Sequence, residues 1–221
     1  MEPEFVGYWR RLRQVVQQRN ALLKQPRSDA QLLGWTALLV QLSMHIQQLR
    51  LQYITGFVQY LNVLLGEDAK CFQVQLEQGW PADQALDTCL DRGLEQDKRM
   101  GFTRFGAHRA DLKLLYNGQL AKQVLSRGQK KLFNARLMMA QLKHLFRDHA
   151  RQSISLLDDL SAELDEENRY KIYQSLNDLQ SQVFITGVQL DPVLVSNEFS
   201  LKMFHVERGA LIESSGCEMN I

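Results

Sequence analysis

The sequence predicts an α/β protein whose first half is mostly helical and whose second half alternates strands with helices. Three features carry this prediction. Apolar residues recur at three-to-four spacing through roughly the first 65 positions, as on the buried face of a helix. The short apolar runs Ile154 to Leu157 and Val183 to Ile185 flank a helical segment, as in a βαβ unit with a buried parallel sheet. Asn117-Gly118 and Arg208-Gly209 lie between short apolar segments, where tight hairpins are expected.

The first helix begins near Phe5, with Tyr8, Trp9, Leu12, Val15, Val16, Leu22 and Leu23 on one face. Its other face carries Arg10, Arg13, Gln17 and Gln18. Arg10, Arg11, Arg13, Arg19 and Lys24 give it a basic stripe, read first as a solvated face and second as a DNA contact. Pro26 interrupts the pattern, and Ser28 or Asp29 can cap a second helix running to about Leu65, roughly 50 Å long at 1.5 Å per residue. The pair suggests a projecting hairpin arm, and equally two core helices of a bundle.

After Gly66, Phe72, Val74 and Leu76 alternate with polar residues as in a half-buried strand. A helix is expected from Pro81 to about Arg99. Asp111 to Leu115 and Leu120 to Val124 form the strands of the Asn117-Gly118 hairpin. A helix follows from Ser126 to about His149, with Leu132, Ala135, Met138, Met139, Leu142, Leu145 and Phe146 inward, the methionines as core filler. Glu166 to Leu179 is the crossover helix, and Lys202 to Val206 pairs with Ala210 to Ile212 as a closing hairpin. The expected divisions are a hairpin arm (1–66), a strand-helix connector (67–100) and an α/β lobe (101–221).

Composition narrows the function classes. The 221 residues, 45% hydrophobic, suffice for one large or two small domains. The 26 basic and 25 acidic residues nearly cancel, so net charge names no partner. Cys71, Cys89 and Cys217 contain no CxxC pair and point to neither a disulfide framework nor a zinc site. The N-terminus lacks the apolar core of a signal peptide, and no stretch of about 18 apolar residues occurs, so a soluble cytoplasmic protein is expected. His144 and His149 do not form HExxH, and GxSxG is absent.

The chemistry-bearing segments are LSRGQKK (125–131) and SISLLDDLSAELD (153–165). Ligands of a parallel sheet gather beyond the carboxyl ends of its strands, where Asp158 and Asp159 stand. Alternation along the strand gives them different directions, so one can hold a Mg²⁺ hydration shell while the other faces an attacking water. An isolated apolar run ending in two acids more often caps a solvated loop. In LSRGQKK a serine and a glycine open a helix whose free amides can receive a phosphate.

The order LSRGQ, LLDD, SAELD resembles the C-terminal half of an ABC-type ATPase head. FGAHRADL (105–112), QVFITG (182–187), VGYWRRLRQVVQQRNALLKQ near the start and SLKMFHVERGALIE near the end narrow it to a resemblance to the RecF family of bacterial recombination mediators, related to the SMC proteins. The resemblance covers nearly the whole chain and about the last three-fifths of the family.

It implies the C-terminal lobe of an ABC/SMC-like ATPase head, an incomplete P-loop NTPase fold behind a helical arm. By it, Ser126, Arg127, Gly128 and Gln129 form the signature that contacts ATP on the opposite subunit of an ATP-dependent homodimer. Asp158 becomes the Mg²⁺-linked carboxylate, Asp159 the catalytic polariser of water, and Asp165 the D-loop residue near the partner. Thr186 is the γ-phosphate switch residue, with Gly187 as the alternative alignment. The family segment GPHRADL has Ala107 in place of its proline here, and His108 reads as a structural hydrogen-bonding residue.

The resemblance further implies DNA replication and repair, with binding of single-stranded and gapped duplex DNA, support of recombinase loading, the SOS response and a RecR-like recombination mediator as partner. The complete family has weak ATPase activity. This chain contains no GxxxxGK[ST]; Gly101 to Gly106 is followed by Ala107 and His108. A truncated form is therefore expected, without tight ATP binding of its own and with an exposed apolar sheet face beside Ile154 to Leu157. The alternative reading is a non-catalytic interaction module using the arm.

Overall fold

A computed structural model describes residues 3–25, 29–149, 153–160, 164–179, 182–195 and 199–213. The described chain divides into two compact units, one of residues 1–59 and 67–124, the other of 60–66 and 125–221. These units cut across the sequence-derived division at residues 66 and 100. The reason lies in the core: Leu12 and Val15 of the first helix and Leu39, Leu42 and Ile46 of the second pack with Trp80, Leu86, Cys89, Leu90 and Ala107. The hairpin thus closes its apolar face with the segment that follows it.

In the first unit α1 is Pro3–Leu23 and α2 is Asp29–Leu65, close to expectation. Pro26 and Ser28 fall outside the described residues. Strand β1 (Phe72–Glu77) pairs antiparallel with β2 (Asp111–Tyr116), which pairs with β3 (Gln119–Leu120). Asn117 at φ 49° and Gly118 at φ 78° make the expected tight turn. The second hairpin strand is shorter than expected, because the chain turns at Ala121 into helix α5, Ala121–Val124, and buries the Ala121 methyl.

The helix expected from Pro81 is instead two, α3 (Leu86–Arg92) and α4 (Leu94–Met100), joined at Gly93. A Cβ at Gly93 would stand 2.6 Å from the Arg104 guanidinium and 2.8 Å from the Cys89 carbonyl, so close approach requires glycine there.

Arg19 leaves the basic stripe altogether. Its side chain is fully buried and donates to Asp97 Oδ2 (2.9 Å), Thr103 Oγ1 (2.7 Å) and Thr36 Oγ1 (3.1 Å). Asp97, equally buried, also accepts from Arg104 Nε at 2.9 Å. Two guanidiniums on one carboxylate compensate its desolvation and tie α1 and α2 to α4 and the loop after it. Arg10, Arg11, Arg13 and Lys24 remain exposed.

The second unit carries α6 (Arg127–His149), β4 (Ile154–Asp158), α7 (Glu166–Asn177), β5 (Gln182–Thr186), α8 (Pro192–Val195) and the antiparallel hairpin β6 (Phe204–Glu207) with β7 (Ala210–Glu213). Strands β4 and β5 are parallel, in register from Ile154 opposite Gln182 to Asp158 opposite Thr186. The βαβ reading holds. On α6 the inward side includes Phe133, Ala140 and His144 along with Met139, whereas Met138 is 40% exposed.

One face of the β4–β5 sheet is covered and the other is bare. Leu157, Val183 and Ile185 pack with Met139, Leu160, Ile172, Tyr173 and Leu176. On the opposite face Ile154, Leu156 and Phe184 are 65%, 73% and 49% exposed. This is the exposed apolar face the sequence led us to expect.

Candidate functional site

Ser126 precedes the first residue of α6 and forms a reciprocal cap with Gln129. The Gln129 amide N–H donates to Ser126 Oγ at 3.3 Å, and the Ser126 N–H donates to Gln129 Oε1 at 2.9 Å. This is the capping-box arrangement, legible in the spacing S-x-x-Q. Arg127 and Gly128 are exposed between the two, and nothing lies within 4 Å of where a Gly128 Cβ would be. The segment therefore presents two exposed side chains and an open glycine on a fixed helix start.

Strand β4 ends at Asp158, an exposed carboxylate that accepts a hydrogen bond from the Thr186 hydroxyl at the end of β5. The register predicts this meeting, since Asp158 and Thr186 are opposite one another. Asp159 departs from the alternation expected along a strand. It adopts φ 48°, a left-handed conformation that Asp tolerates, and its N–H donates to the Thr186 carbonyl at 3.1 Å. The different directions of the two acids thus come from a turn and not from continuing pleat. Gly187 follows directly after β5.

Ser161, Ala162 and Glu163 lie outside the described residues. Asp165 caps α7, accepting from the Asn168 N–H at 2.9 Å and from Asn168 Nδ2 at 2.9 Å. The backbone hydrogen bond from Asn168, followed by its side-chain bond, holds the Asp165 carboxyl below its usual range. Behind this helix sits a cluster that the sequence reading missed. The Tyr173 hydroxyl donates to Asp191 Oδ2 at 2.8 Å, Arg169 pairs with the same oxygen at 2.8 Å, and Asp191 Oδ1 caps the Val193 N–H at 3.1 Å. Burial, and then the bond to Asp191, push the Tyr173 phenol well above its ordinary value. Asp191 before Pro192 was the available signal, an acid cap followed by proline at a helix start.

His108 is placed as the sequence reading expected, in a structural role. Its Nε2 lies 3.1 Å from the Thr103 carbonyl, and burial, the largest influence, lowers its pKa.

Among the described residues no three His, Cys, Asp or Glu side chains cluster. A magnesium ion brought in with a nucleotide needs no such cluster, since it keeps several waters and takes one or two carboxylates beside phosphate oxygens. An exposed Asp158 at a parallel strand end, oriented by a threonine hydroxyl, fits that requirement. No described helix is long and apolar enough to cross a membrane.

Comparison with known proteins gives a consistent assignment. Residues 82–211 match the family described as RecF/RecN/SMC N terminal domain. DNA replication and repair protein RecF of Cellvibrio japonicus is 38% identical over 216 residues, covering 95% of this chain and 59% of that protein. The RecF of Colwellia psychrerythraea is 36% identical over 220 residues, covering 92% and 58%. This chain thus spans about three-fifths of the length of these relatives. The solved structure of the recombination mediator RecF with ATP, of the RecFOR pathway, superposes with a TM-score of 0.79 over 97% of this chain and 60% of that one, at 19% identity. That likeness shows the fold, an ABC/SMC-like ATPase architecture.

Proposed function

Because this chain belongs to the RecF/RecN/SMC N terminal domain family, we propose that it is a RecF-like DNA replication and repair protein contributing the signature and Walker B half of a shared ATP site. The observation that carries the reading is the junction of Asp158, Asp159 and Thr186 at the carboxyl ends of two parallel strands. In a sheet of this kind that edge is where a nucleotide phosphate is handled.

On this reading Asp158 holds the water shell of Mg²⁺, which when bound neutralises charge on the phosphates. Asp159, swung out of the strand by its left-handed backbone, orients a water and accepts its proton's hydrogen bond. Thr186 holds the Asp158 carboxylate in place and reports on the terminal phosphate. Asp165 lies next to the opposite subunit. Ser126, Arg127, Gly128 and Gln129 face the nucleotide of that subunit, the fixed cap keeping the helix start rigid and Gly128 allowing close approach.

ATP binding then joins two heads into a homodimer that holds single-stranded or gapped duplex DNA, supports recombinase loading in the SOS response and meets a RecR-like mediator in the cytoplasm. Since the sequence contains no GxxxxGK[ST], this chain gains affinity for ATP only beside a molecule that supplies the phosphate cradle. Sedimentation of this chain mixed with complete Cellvibrio japonicus RecF tests the proposal. Association should require ATP and Mg²⁺, and Ser126→Arg should abolish it. Equal association without nucleotide would count against it.

A further inference from the structure

Helix α2 carries an outward face unlike that of its neighbour. From Ala30 to Gln59 every exposed side chain is uncharged, whereas α1 exposes Glu4, Arg10, Arg11 and Arg13. The one charged residue of α2 after Asp29, Arg50, is turned inward, over the Phe5 and Trp9 rings at 5.8 and 5.2 Å and onto the Ala107 carbonyl at 2.8 Å. A solvated helix face ordinarily carries charges, and their depletion together with methionine and leucine marks an interface core.

The exposed positions also have a period. Gly34, Ala37, Gln41, Met44, Gln48, Leu51 and Thr55 are spaced alternately three and four apart, and half-buried Val58 continues the series. Met44 and Leu51 are 52% and 49% exposed. This is a heptad seam, separate from the inner one that carries Leu39, Leu42 and Ile46, and it runs roughly 36 Å at 1.5 Å per residue. Along it the residues grow from Gly34 and Ala37 at one end to Leu51 and Val58 at the other.

We infer that this seam pairs with the same seam of a second copy of this chain, antiparallel and without nucleotide. An antiparallel copy matches small to large in every layer, with Gly34 opposite Val58 of the second copy, Ala37 opposite Thr55, Gln41 opposite Leu51 and Met44 opposite Gln48. A parallel copy would place glycine on glycine and leucine on leucine, which one interaxial distance cannot satisfy. Beside the seam Tyr8, Arg11, Met44, His45, Gln48 and Leu51 border a groove of about 680 Å³ that receives the flanking side chains of the second helix. An interface of one helix pair is small, so the dimer forms at high concentration only.

The test is sedimentation velocity of the whole chain without nucleotide from about 1 to about 200 μM, a range suited to a small interface. The parent should shift from monomer to dimer. Met44→Glu with Leu51→Glu should stay monomeric with unchanged helix content, and so should Gln48→Lys if the double variant misfolds. Leu156→Gln with Phe184→Gln, on the bare sheet face, should still dimerise. In mixed samples under oxidation, Met44→Cys should cross-link to Gln48→Cys, and Ala37→Cys should not cross-link to Met44→Cys, above the background of the parent cysteines. A parent monomeric throughout, a dimer indifferent to the α2 substitutions, a dimer lost with the sheet-face pair or the opposite cross-linking pattern would each overturn the inference, the last three pointing to another surface or another partner.

Discussion

At the scale of residues, the buried carboxylate Asp97 and the buried His108 make opposite electrostatic demands. Asp97 is stable as an anion because Arg19 and Arg104 both reach it. Asp97→Ala leaves two guanidiniums short of their counter-ion, and a loss of about 3–5 kcal/mol in denaturant unfolding is expected. His108 faces Arg109, Arg19 and Asp97, and burial, the largest influence, lowers its pKa below the model value of 6.5. The unfolded chain therefore binds the proton more readily. The stability linked to His108 is full above about pH 6.5 and is lost as pH falls from there toward the lowered folded value. His108→Gln should flatten the fall in melting temperature between pH 7.5 and 5.5, about the range the imidazole governs; an unaltered slope would assign that fall to other groups.

At the scale of elements, the reciprocal cap at the start of α6 and the Asp165 cap of α7 are local devices at positions that the family reading gives to nucleotide chemistry. Ser126→Ala should cost about 0.5–2 kcal/mol of stability, measured by urea unfolding, whether or not ATP is ever bound. Ser126→Arg separates the roles, because it alters what the helix presents to a partner. Much of this level was legible beforehand. Period marked α1 and α2, Asn117-Gly118 marked its turn, and the apolar runs around Glu166 to Leu179 marked a parallel pair. The helix expected from Pro81 failed because an N-terminal proline signals where a helix can begin without requiring one. Its continuity past Gly93 was broken by the approach of Arg104, a tertiary contact that no local pattern encodes. Arg19 was misread for the same reason, since its partners Asp97 and Thr103 lie far along the chain. The Tyr173–Asp191–Arg169 cluster likewise joins residues from two elements, so only the Asp-Pro pair hinted at it.

At the scale of the whole molecule, the chain carries a finished core in each unit and an unfinished surface. Ile154, Leu156 and Phe184 expose apolar side chains on a two-stranded sheet, and Val206 and Ile212 of the closing hairpin are 66% and 49% exposed. Contiguous apolar surface of this kind favours association. Leu156→Gln with Phe184→Gln should raise the concentration at which light scattering first detects aggregates, without lowering the melting temperature, because those side chains pack on nothing within the chain. The buried face behaves oppositely, and Leu157→Ala should cost about 2–5 kcal/mol.

The central claim is that this chain offers its Ser126 helix to nucleotide held by another molecule. Its most direct measurement is ATP turnover by complete Cellvibrio japonicus RecF, held below the concentration at which it pairs with itself and titrated with this chain. Turnover should rise with added chain and stay at baseline with the Ser126→Arg variant. Turnover that ignores the chain, or that rises equally with Ser126→Arg, would contradict the shared-site reading.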